Sequence, residues 1–162
     1  MRKLGIIAVL SLMALAIAAV PALAKAPEPG NAHFIKSATS ATRSGNDLVI
    51  NFKETGLSAG STETITASAT AATTYSCVNG GTNIPSDKKK TKSTSPVSAT
   101  GNFPVDRNGN LTGTLTLSPP SAEDVGLTCP AGQTATLISV TYSDVMLVDV
   151  TSGATFAFAG TF

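Results

Sequence analysis

Residues 62–77, TETITASATAATTYSC, form the most regular stretch of this chain and decide its fold. Most odd positions from 65 to 77 are apolar, whereas nearly every even position is threonine or serine. An alternation with a period of two places the apolar side chains on one face of an extended strand. We therefore predict a long β-strand, with Tyr75 and Cys77 on its inner face. Strands of this length usually bend, so we expect a kink or bulge near Ala71-Ala72.

Shorter stretches on both sides of this segment alternate in the same way. The apolar residues predicted to face inward are Leu48, Ile50, Phe52, Val97, Ala99, Phe103, Val105, Leu111, Leu115, Leu117, Leu137, Ile138, Val140, Tyr142, Val145, Leu147, Phe156, Phe158 and Phe162. A first strand is predicted over residues 32–39, and a long polar loop over residues 83–95. Asn108-Gly109 lies between two alternating runs and predicts a β-hairpin. The inward positions shift by one residue near Ser143-Asp144, which predicts a β-bulge.

About seven strands and no run at helical spacing predict an all-β protein. We expect an antiparallel β-sandwich of immunoglobulin-like type, formed by a single domain over residues 31–162. A small barrel or a jelly roll is the alternative arrangement. The chain has no tryptophan, which departs from true immunoglobulin domains, where a tryptophan packs against the disulfide.

The first 24 residues have the pattern of a secretory signal peptide. Arg2 and Lys3 precede an apolar run at residues 4–20, and Pro21 stands before Ala22-Leu23-Ala24. The alternative is a transmembrane anchor, but a run of about seventeen residues is at the lower limit for spanning a bilayer. We expect cleavage after Ala24, an extended leader at residues 25–30, and a secreted, extracellular product. Retention at the cell surface by noncovalent contacts stays open.

The charge balance argues against a nucleic-acid partner. The whole chain has 11 basic and 10 acidic residues, and two of the basic ones, Arg2 and Lys3, lie in the predicted signal. Nine minus ten leaves the mature chain at −1, without the basic surface that nucleic acid requires. After cleavage we also expect no membrane contact. The partner is predicted to be an extracellular protein or polysaccharide, with weak homo-oligomerisation as a further option.

Cys77 and Cys129 are the only cysteines in the sequence. In an exported protein they are expected to form a disulfide, and the loop-like sequence around Cys129 predicts that the bridge joins a strand end to a loop. Two free thiols or a metal site are the alternatives. A metal site lacks further ligands, because His33 is the single histidine and no Cys-x-x-Cys pair is present.

The chain resembles an uncharacterised family of small secreted bacterial proteins. The resemblance is carried by YSCVNGG at residues 75–81, GTLTLSPP at 113–120, CPAGQ at 129–133 and SVTY at 139–142. It implies a secreted, single-domain β-sandwich with a disulfide. It brings no catalytic residues, because none are established for the group.

Two groups of residues are candidate contact sites. Lys88, Lys89, Lys90 and Lys92 form a candidate binding loop for an acidic polymer, although solvated loop charge explains them as well. Phe156, Phe158 and Phe162 lie near the end of the sequence and are candidates for an edge-strand contact with a partner. The alternative is that these rings close the protein's own core.

Catalysis has little support in the sequence. His33 would have to serve any Ser-His-Asp or Cys-His arrangement, and both cysteines are expected in the bridge. The carboxylates Glu54, Glu63, Glu123, Asp124, Asp144 and Asp149 could supply a glycosidase pair, but most lie in or beside predicted turns, where a surface role is the default. Residues 106–110, DRNGN, begin like a calcium loop, yet Leu111 and Leu117 stand where glycine and glutamate are required.

The sequence therefore predicts a secreted, non-enzymatic β-sandwich that acts as an extracellular structural or interaction module. We expect no catalytic residues, no cofactor and no metal. The alternative function is a carbohydrate-binding or adhesive domain that recognises a cell-envelope or environmental polymer. The sequence does not identify the ligand or partner, the oligomeric state, the biological role or the glycosylation of the Asn110 sequon.

Overall fold

The computed structural model describes residues 31–79 and 90–162. The predicted signal peptide at residues 1–24, the leader at 25–30, and Lys88 and Lys89 of the predicted loop lie outside the described residues. Eight strands follow one another along the described chain. They are β1 (His33–Phe34), β2 (Ser40–Ser44), β3 (Asp47–Thr55), β4 (Thr62–Asn79), β5 (Lys90–Pro104), β6 (Asn110–Leu117), β7 (Gln133–Asp149) and β8 (Thr155–Ala157).

The strands form two antiparallel sheets, as the alternating sequence predicted. The short sheet contains β3 at its centre, with β6 on one edge and β1 and β2 sharing the other. The long sheet has the order β5-β4-β7-β8. In immunoglobulin lettering the described strands are ABE against C′CFG, with strand A split into β1 and β2. The predicted β-sandwich of immunoglobulin-like type is thus confirmed.

The first strand is not continuous over residues 32–39, as the sequence had suggested. A 3-10 turn at Lys36–Ala38 separates β1 from β2. Phe34 is buried before this turn, and Thr39 is buried after it. Even positions therefore face the core before the turn and odd positions after it, a change that an unbroken strand cannot make.

The Asn108-Gly109 sequence forms a tight turn, but the predicted hairpin is wrong. Gly109 has φ 75°, and its N–H donates to the carbonyl of Asp106. The strands on either side do not pair with each other, because β5 belongs to the long sheet and β6 to the short sheet. The turn carries the chain across the sandwich.

The irregularities of the long sheet lie in β7 and not in β4. The pairing of β4 with β5 runs without interruption from Thr62 to Ser76, so the predicted bulge at Ala71-Ala72 is absent. Two register shifts occur between β4 and β7, and one of them falls opposite Ala69, where Asp144 and Val145 together take the place of one residue. The predicted bulge near Ser143-Asp144 is therefore confirmed.

The main core contains all six phenylalanines of the sequence in one chain of edge-to-face contacts. The order is Phe103, Phe52, Phe34, Phe156, Phe158 and Phe162, with ring centroids 4.9 to 6.4 Å apart. Gly113 makes room for this chain, because a Cβ there would lie 2.5 Å from the rings of both Phe103 and Phe52. Such edge-to-face pairs are favoured beyond the area they bury.

The long sheet extends beyond the short one. β3 has 9 residues and β6 has 8, whereas β4 has 18 and β7 has 17. The loop at residues 118–132 covers the inner face of this extension. Its Leu127 packs with Tyr75 and Cys77 in a second, smaller core, and the predicted disulfide between Cys77 and Cys129 joins this loop to β4.

Candidate functional site

The structure describes two of the four lysines of the predicted binding loop. Lys90 and Lys92 are exposed and belong to β5, so the predicted loop at residues 83–95 is wrong from residue 90 onward. They lie opposite Ser76 and Thr74 of β4, on a strand at the edge of the long sheet. Lysine and proline on an edge strand hinder pairing with another chain. Pro96 and Pro104 stand on the same strand, so edge protection explains the two lysines without a ligand.

The C-terminal phenylalanines are used inside the molecule. Phe156, Phe158 and Phe162 are half-buried and pack against the main core. Beyond β8 the chain still follows β7, because Phe158 donates its N–H to the carbonyl of Val145, and Phe162 exchanges two backbone hydrogen bonds with Tyr142. The edge-strand contact with a partner stays a prediction. The three phenylalanine rings that would make it already contact one another within the molecule.

In the turn at residues 106–110, the carboxylate of Asp106 is hydrogen-bonded by backbone groups of the same turn. Oδ1 of Asp106 accepts the backbone N–H groups of Asn108 and Asn110 at 2.8 and 2.9 Å. The N–H of Asn110, followed by that of Asn108, lowers the pKa of Asp106. The interpretation as a turn therefore accounts for this motif.

Three of the carboxylates assigned to the surface are buried, which corrects the prediction from the sequence. Glu54 and Asp149 have no exposed area and Glu63 is 4% exposed. All three lie at the end of the sandwich where β3 ends, β4 begins and β7 ends. We call Glu54, Glu63, Asp149 and the adjoining Ser152 the acid end. Glu54 falls on the same face of its strand as the buried Ile50 and Phe52. Asp149 likewise falls on the same face as Val145 and Leu147. The alternation of the sequence therefore indicated that both side chains point inward.

The three carboxylates of the acid end are buried, whereas Ser152 is partly exposed. The hydroxyl of Ser152 donates to Oδ2 of Asp149 at 2.7 Å and lies 3.2 Å from Oε1 of Glu54. Burial, followed by the charge of Asp149, raises the pKa of Glu54 to about 8. A carboxyl group held in its neutral form has the character of a general acid. A substrate, however, cannot reach Glu54 or Asp149 in this structure, because neither side chain has accessible surface.

Open polar chemistry is found instead on the outer face of the long sheet. A shallow depression of about 350 Å³ lies over the bulge in β7. Its lining comprises Ser68, Ala69, Thr70, Pro96, Val97, Ser98 and Asp144. Met146, which pairs with Ser68, borders the depression and is 39% exposed. The depression therefore combines three hydroxyl groups and a carboxylate with two small apolar surfaces.

Asp144 has an unusual backbone at this position. Its φ is 53°, and the eight other residues with positive φ in the described ranges are all glycine. A non-glycine residue in this region is held at a cost of roughly 1–2 kcal/mol, which aspartate and asparagine tolerate better than most residues. The hydroxyl of Ser143 donates to Oδ2 of Asp144 at 2.9 Å. The sequence predicted the bulge but did not indicate that its carboxylate would lie in a depression.

A second depression lies beside the disulfide. It has a volume of about 490 Å³, and its lining includes Glu123, Leu127, Cys129 and Gln133. It follows the surface of the loop at residues 118–132, whose backbone turns around Asp124. The hydroxyl and the N–H of Ser121 both donate to Oδ2 of Asp124, and they lower its pKa. The polar groups of this loop are thus engaged with one another.

Two further kinds of feature, a metal centre and a membrane-spanning helix, concern residues 31–79 and 90–162. No group of three or more histidine, cysteine, aspartate or glutamate side chains in these ranges is arranged to hold a metal ion. None of the helices in the same ranges has the length and apolar character needed to cross a membrane.

Comparison with known proteins gave no match. No protein-family model matches the chain. No curated protein and no solved structure matches it significantly.

Proposed function

We propose that this protein is an exported, non-enzymatic interaction module that binds through the outer face of its long sheet. The disulfide supports export, because such bonds persist in oxidising compartments outside the cytosol. The buried state of Glu54 and Asp149 supports a non-enzymatic role. The resemblance to small secreted bacterial proteins agrees with this proposal.

The observation that carries the proposal is the aspartate at position 144. The bulge itself serves the fold, because the extra residue places Val145 and Leu147 in the core. Glycine would adopt the positive φ of this bulge without backbone strain. Glycine occupies the other eight positive-φ positions of the described chain. An aspartate adds a carboxylate to the lining of the depression, where the fold does not require one.

The surroundings of Asp144 favour a carbohydrate as the ligand. Ser68 and Thr70 on β4 and Ser98 on β5 offer hydroxyl groups, and a carboxylate accepts hydrogen bonds from sugar hydroxyls with charge assistance. Pro96 and Met146 provide apolar surface for the C–H face of a sugar ring. The single charge in the lining is negative, so a neutral or amine-bearing polysaccharide fits better than the acidic polymer suggested by the lysines.

Binding to an array of polysaccharides and glycans tests this proposal. The oxidised chain over residues 25–162 is expected to bind selected neutral or amino-sugar polymers, and Asp144→Asn is expected to weaken binding at least tenfold. A hydrogen bond to a charged group contributes about 1.5–3 kcal/mol, and about 1.4 kcal/mol corresponds to a tenfold change in affinity. The double variant Lys90→Ala/Lys92→Ala is the control and is expected to bind normally.

Asp144→Gly separates the binding role from the structural role of the same residue. It relieves the left-handed backbone and is expected to raise the free energy of unfolding by about 1 kcal/mol, while binding is lost. Ser98→Ala is expected to weaken binding without a change in stability. Binding that is unchanged in both variants, or an array with no bound polymer, contradicts the proposal.

Export is tested by cell fractionation and mass spectrometry of the native protein. We expect the protein outside the cytoplasm, with Lys25 at its N-terminus and a bridge between Cys77 and Cys129. A chain recovered from the cytoplasm with Met1 in place contradicts the exported location.

A further inference from the structure

Glu54 lies in the least favourable surroundings of any carboxylate in the described chain. It is fully buried near the end of β3, and its register partners are Phe34 on β1 and Leu111 on β6. Its Oε2 has no hydrogen-bond partner, and its Oε1 lies 3.2 Å from the hydroxyl of Ser152. A buried carboxylate anion without a donor of its own is strongly unfavourable, so the carboxyl group of Glu54 is expected to carry a proton.

Asp149 has the opposite surroundings, although it is equally buried. Its Oδ1 accepts the backbone N–H groups of Thr151 and Ser152 at 2.8 and 3.2 Å. Its Oδ2 accepts the hydroxyl of Ser152, which in turn accepts the N–H of Ala154 at 3.2 Å. Asp149 thus has the donors that an anion needs, and it shapes the turn at residues 150–154 that leads into β8.

The charged groups near Glu54 are acids. Asp149 on β7 and Glu63 on β4 both act on it in the direction that favours its neutral form. Glu63 is itself bound by the hydroxyl of Ser61. The neighbouring residues on β1 and β6 are the apolar Phe34 and Leu111. Ionisation of Glu54 would therefore add a further negative charge to an end of the sandwich that already contains acids.

We propose that the acid end is a pH-sensitive closure, in which neutral Glu54 lies against ionised Asp149 and holds the turn that positions the C-terminal strand. Loss of the proton leaves two adjacent buried anions. Movement of the turn at residues 150–154 relieves this repulsion by admitting water. β8 and the segment to Phe162 follow this turn, so their attachment to β7 weakens with it. The device is independent of the carbohydrate site proposed above.

The direction of the pH dependence follows from the environment of Glu54. Its pKa is raised from 4.5 to about 8, first by burial and then by the charge of Asp149. The folded state therefore binds more protons than the unfolded state between these values, and stability falls as pH rises through this interval. The contribution of neutral Glu54 to the free energy of unfolding is fully present below about pH 4.5. Well above pH 8 this contribution is lost, and a further rise in pH has no additional effect through Glu54.

Thermal unfolding of the oxidised chain over residues 25–162, measured from pH 4.5 to pH 9, tests the closure. Tm is expected to fall by several degrees across this interval. In Glu54→Gln, which preserves shape without a titrating group, the fall is expected to be reduced to a small fraction. Glu123→Gln, at an exposed position, is the matched control and is expected to keep the full fall. A wild-type Tm that does not change, or an equal fall in Glu54→Gln, overturns the proposal.

Two further measurements use the wild-type protein and do not depend on the variants folding. The side-chain carboxyl carbon of Glu54, followed by NMR, is expected to titrate with a midpoint well above 6, and a midpoint below 5 overturns the proposal. Amide hydrogen exchange, corrected for the intrinsic effect of pH, is expected to increase at residues 150–162 between pH 5 and pH 9. Uniform protection at both pH values rejects the weakening of the C-terminal strand.

Discussion

The two ends of this sandwich are closed by different physical means. At one end, which we call the disulfide end, the Cys77–Cys129 bridge and the small core of Tyr75, Cys77 and Leu127 fix a loop beneath the long sheet. At the acid end, Glu54, Asp149 and Ser152 fix a turn by hydrogen bonds. The first closure depends on redox conditions and the second on pH. While the disulfide is intact, the disulfide end is therefore expected to stay closed when a rise in pH weakens the acid end.

The unequal lengths of the sheets explain why the disulfide end needs a covalent closure. β4 and β7 extend past the last pair between the short-sheet strands, Leu48 with Leu117, so their inner face has no opposing sheet there. A loop without regular structure has to cover it, and the small core buries few side chains. A crosslink restricts the unfolded loop and offsets this shortage of burial.

Removal of both cysteines is expected to produce the largest change and to affect the disulfide end first. The bridge spans 52 residues of sequence, and the chain-entropy treatment assigns roughly 4 kcal/mol to a loop of this length. We expect Cys77→Ala/Cys129→Ala to lose about this much free energy of unfolding in urea, equally at pH 5 and pH 9. Hydrogen exchange is expected to increase at residues 118–132. An equal increase at residues 150–154 would erase the distinction between the two ends.

Leu127→Ala tests whether the small core contributes beyond the bridge. Leu127 is the buried residue that the loop supplies to this core, and replacement of a buried leucine by alanine costs about 2–5 kcal/mol. We expect about 2 kcal/mol, because a loop collapses more easily than a sheet around the missing atoms. Thr128→Ala, one residue further along and exposed, is the control and is expected to stay within about 0.5 kcal/mol of wild type. Equal effects of the two substitutions would mean that the bridge alone holds the loop.

The alternation of the sequence predicted the architecture well, because it depends on burial at a period of two. Leu48, Ile50 and Phe52 are fully buried as expected, and the disulfide and the bulge at Ser143-Asp144 were also predicted. Asn108-Gly109 predicted a turn correctly and a hairpin wrongly. The local sequence specifies the turn, whereas the assignment of β5 and β6 to different sheets depends on the pairing of each with more distant strands.

The candidate sites were predicted less well than the fold. The default that charged residues lie at the surface placed Glu54, Glu63 and Asp149 outside, although their positions in the alternation point inward. Burial of an acid depends on hydroxyl and backbone donors such as Ser152, which is 98 residues away from Glu54 in sequence. The depression at Asp144 is likewise formed by three strands. An alternation with a period of two predicts which face of the sheet a side chain lies on. It does not predict which residues of the neighbouring strands lie beside that side chain.

Ser152→Ala is expected to have the smallest effect of the three substitutions, and it tests the acid end alone. Its hydroxyl donates to Asp149 and accepts the N–H of Ala154, and one such hydrogen bond contributes about 1 kcal/mol. We expect a loss of about 1 kcal/mol at pH 5 in urea unfolding. At pH 9 Glu54 is ionised as well as Asp149, and in the wild type the hydroxyl of Ser152 lies between the two anions. We therefore expect Ser152→Ala to lose more free energy of unfolding at pH 9 than at pH 5.

The matched control for this substitution is Ser143→Ala, which removes an exposed hydroxyl that donates to a neighbouring aspartate in the same way. Solvent replaces that hydrogen bond, so we expect a change within about 0.5 kcal/mol at both pH values. If Ser152→Ala gives the same loss at pH 5 and pH 9, the hydroxyl does not separate two charges. The response of the acid end to pH would then depend on Glu54 alone and not on the hydroxyl of Ser152.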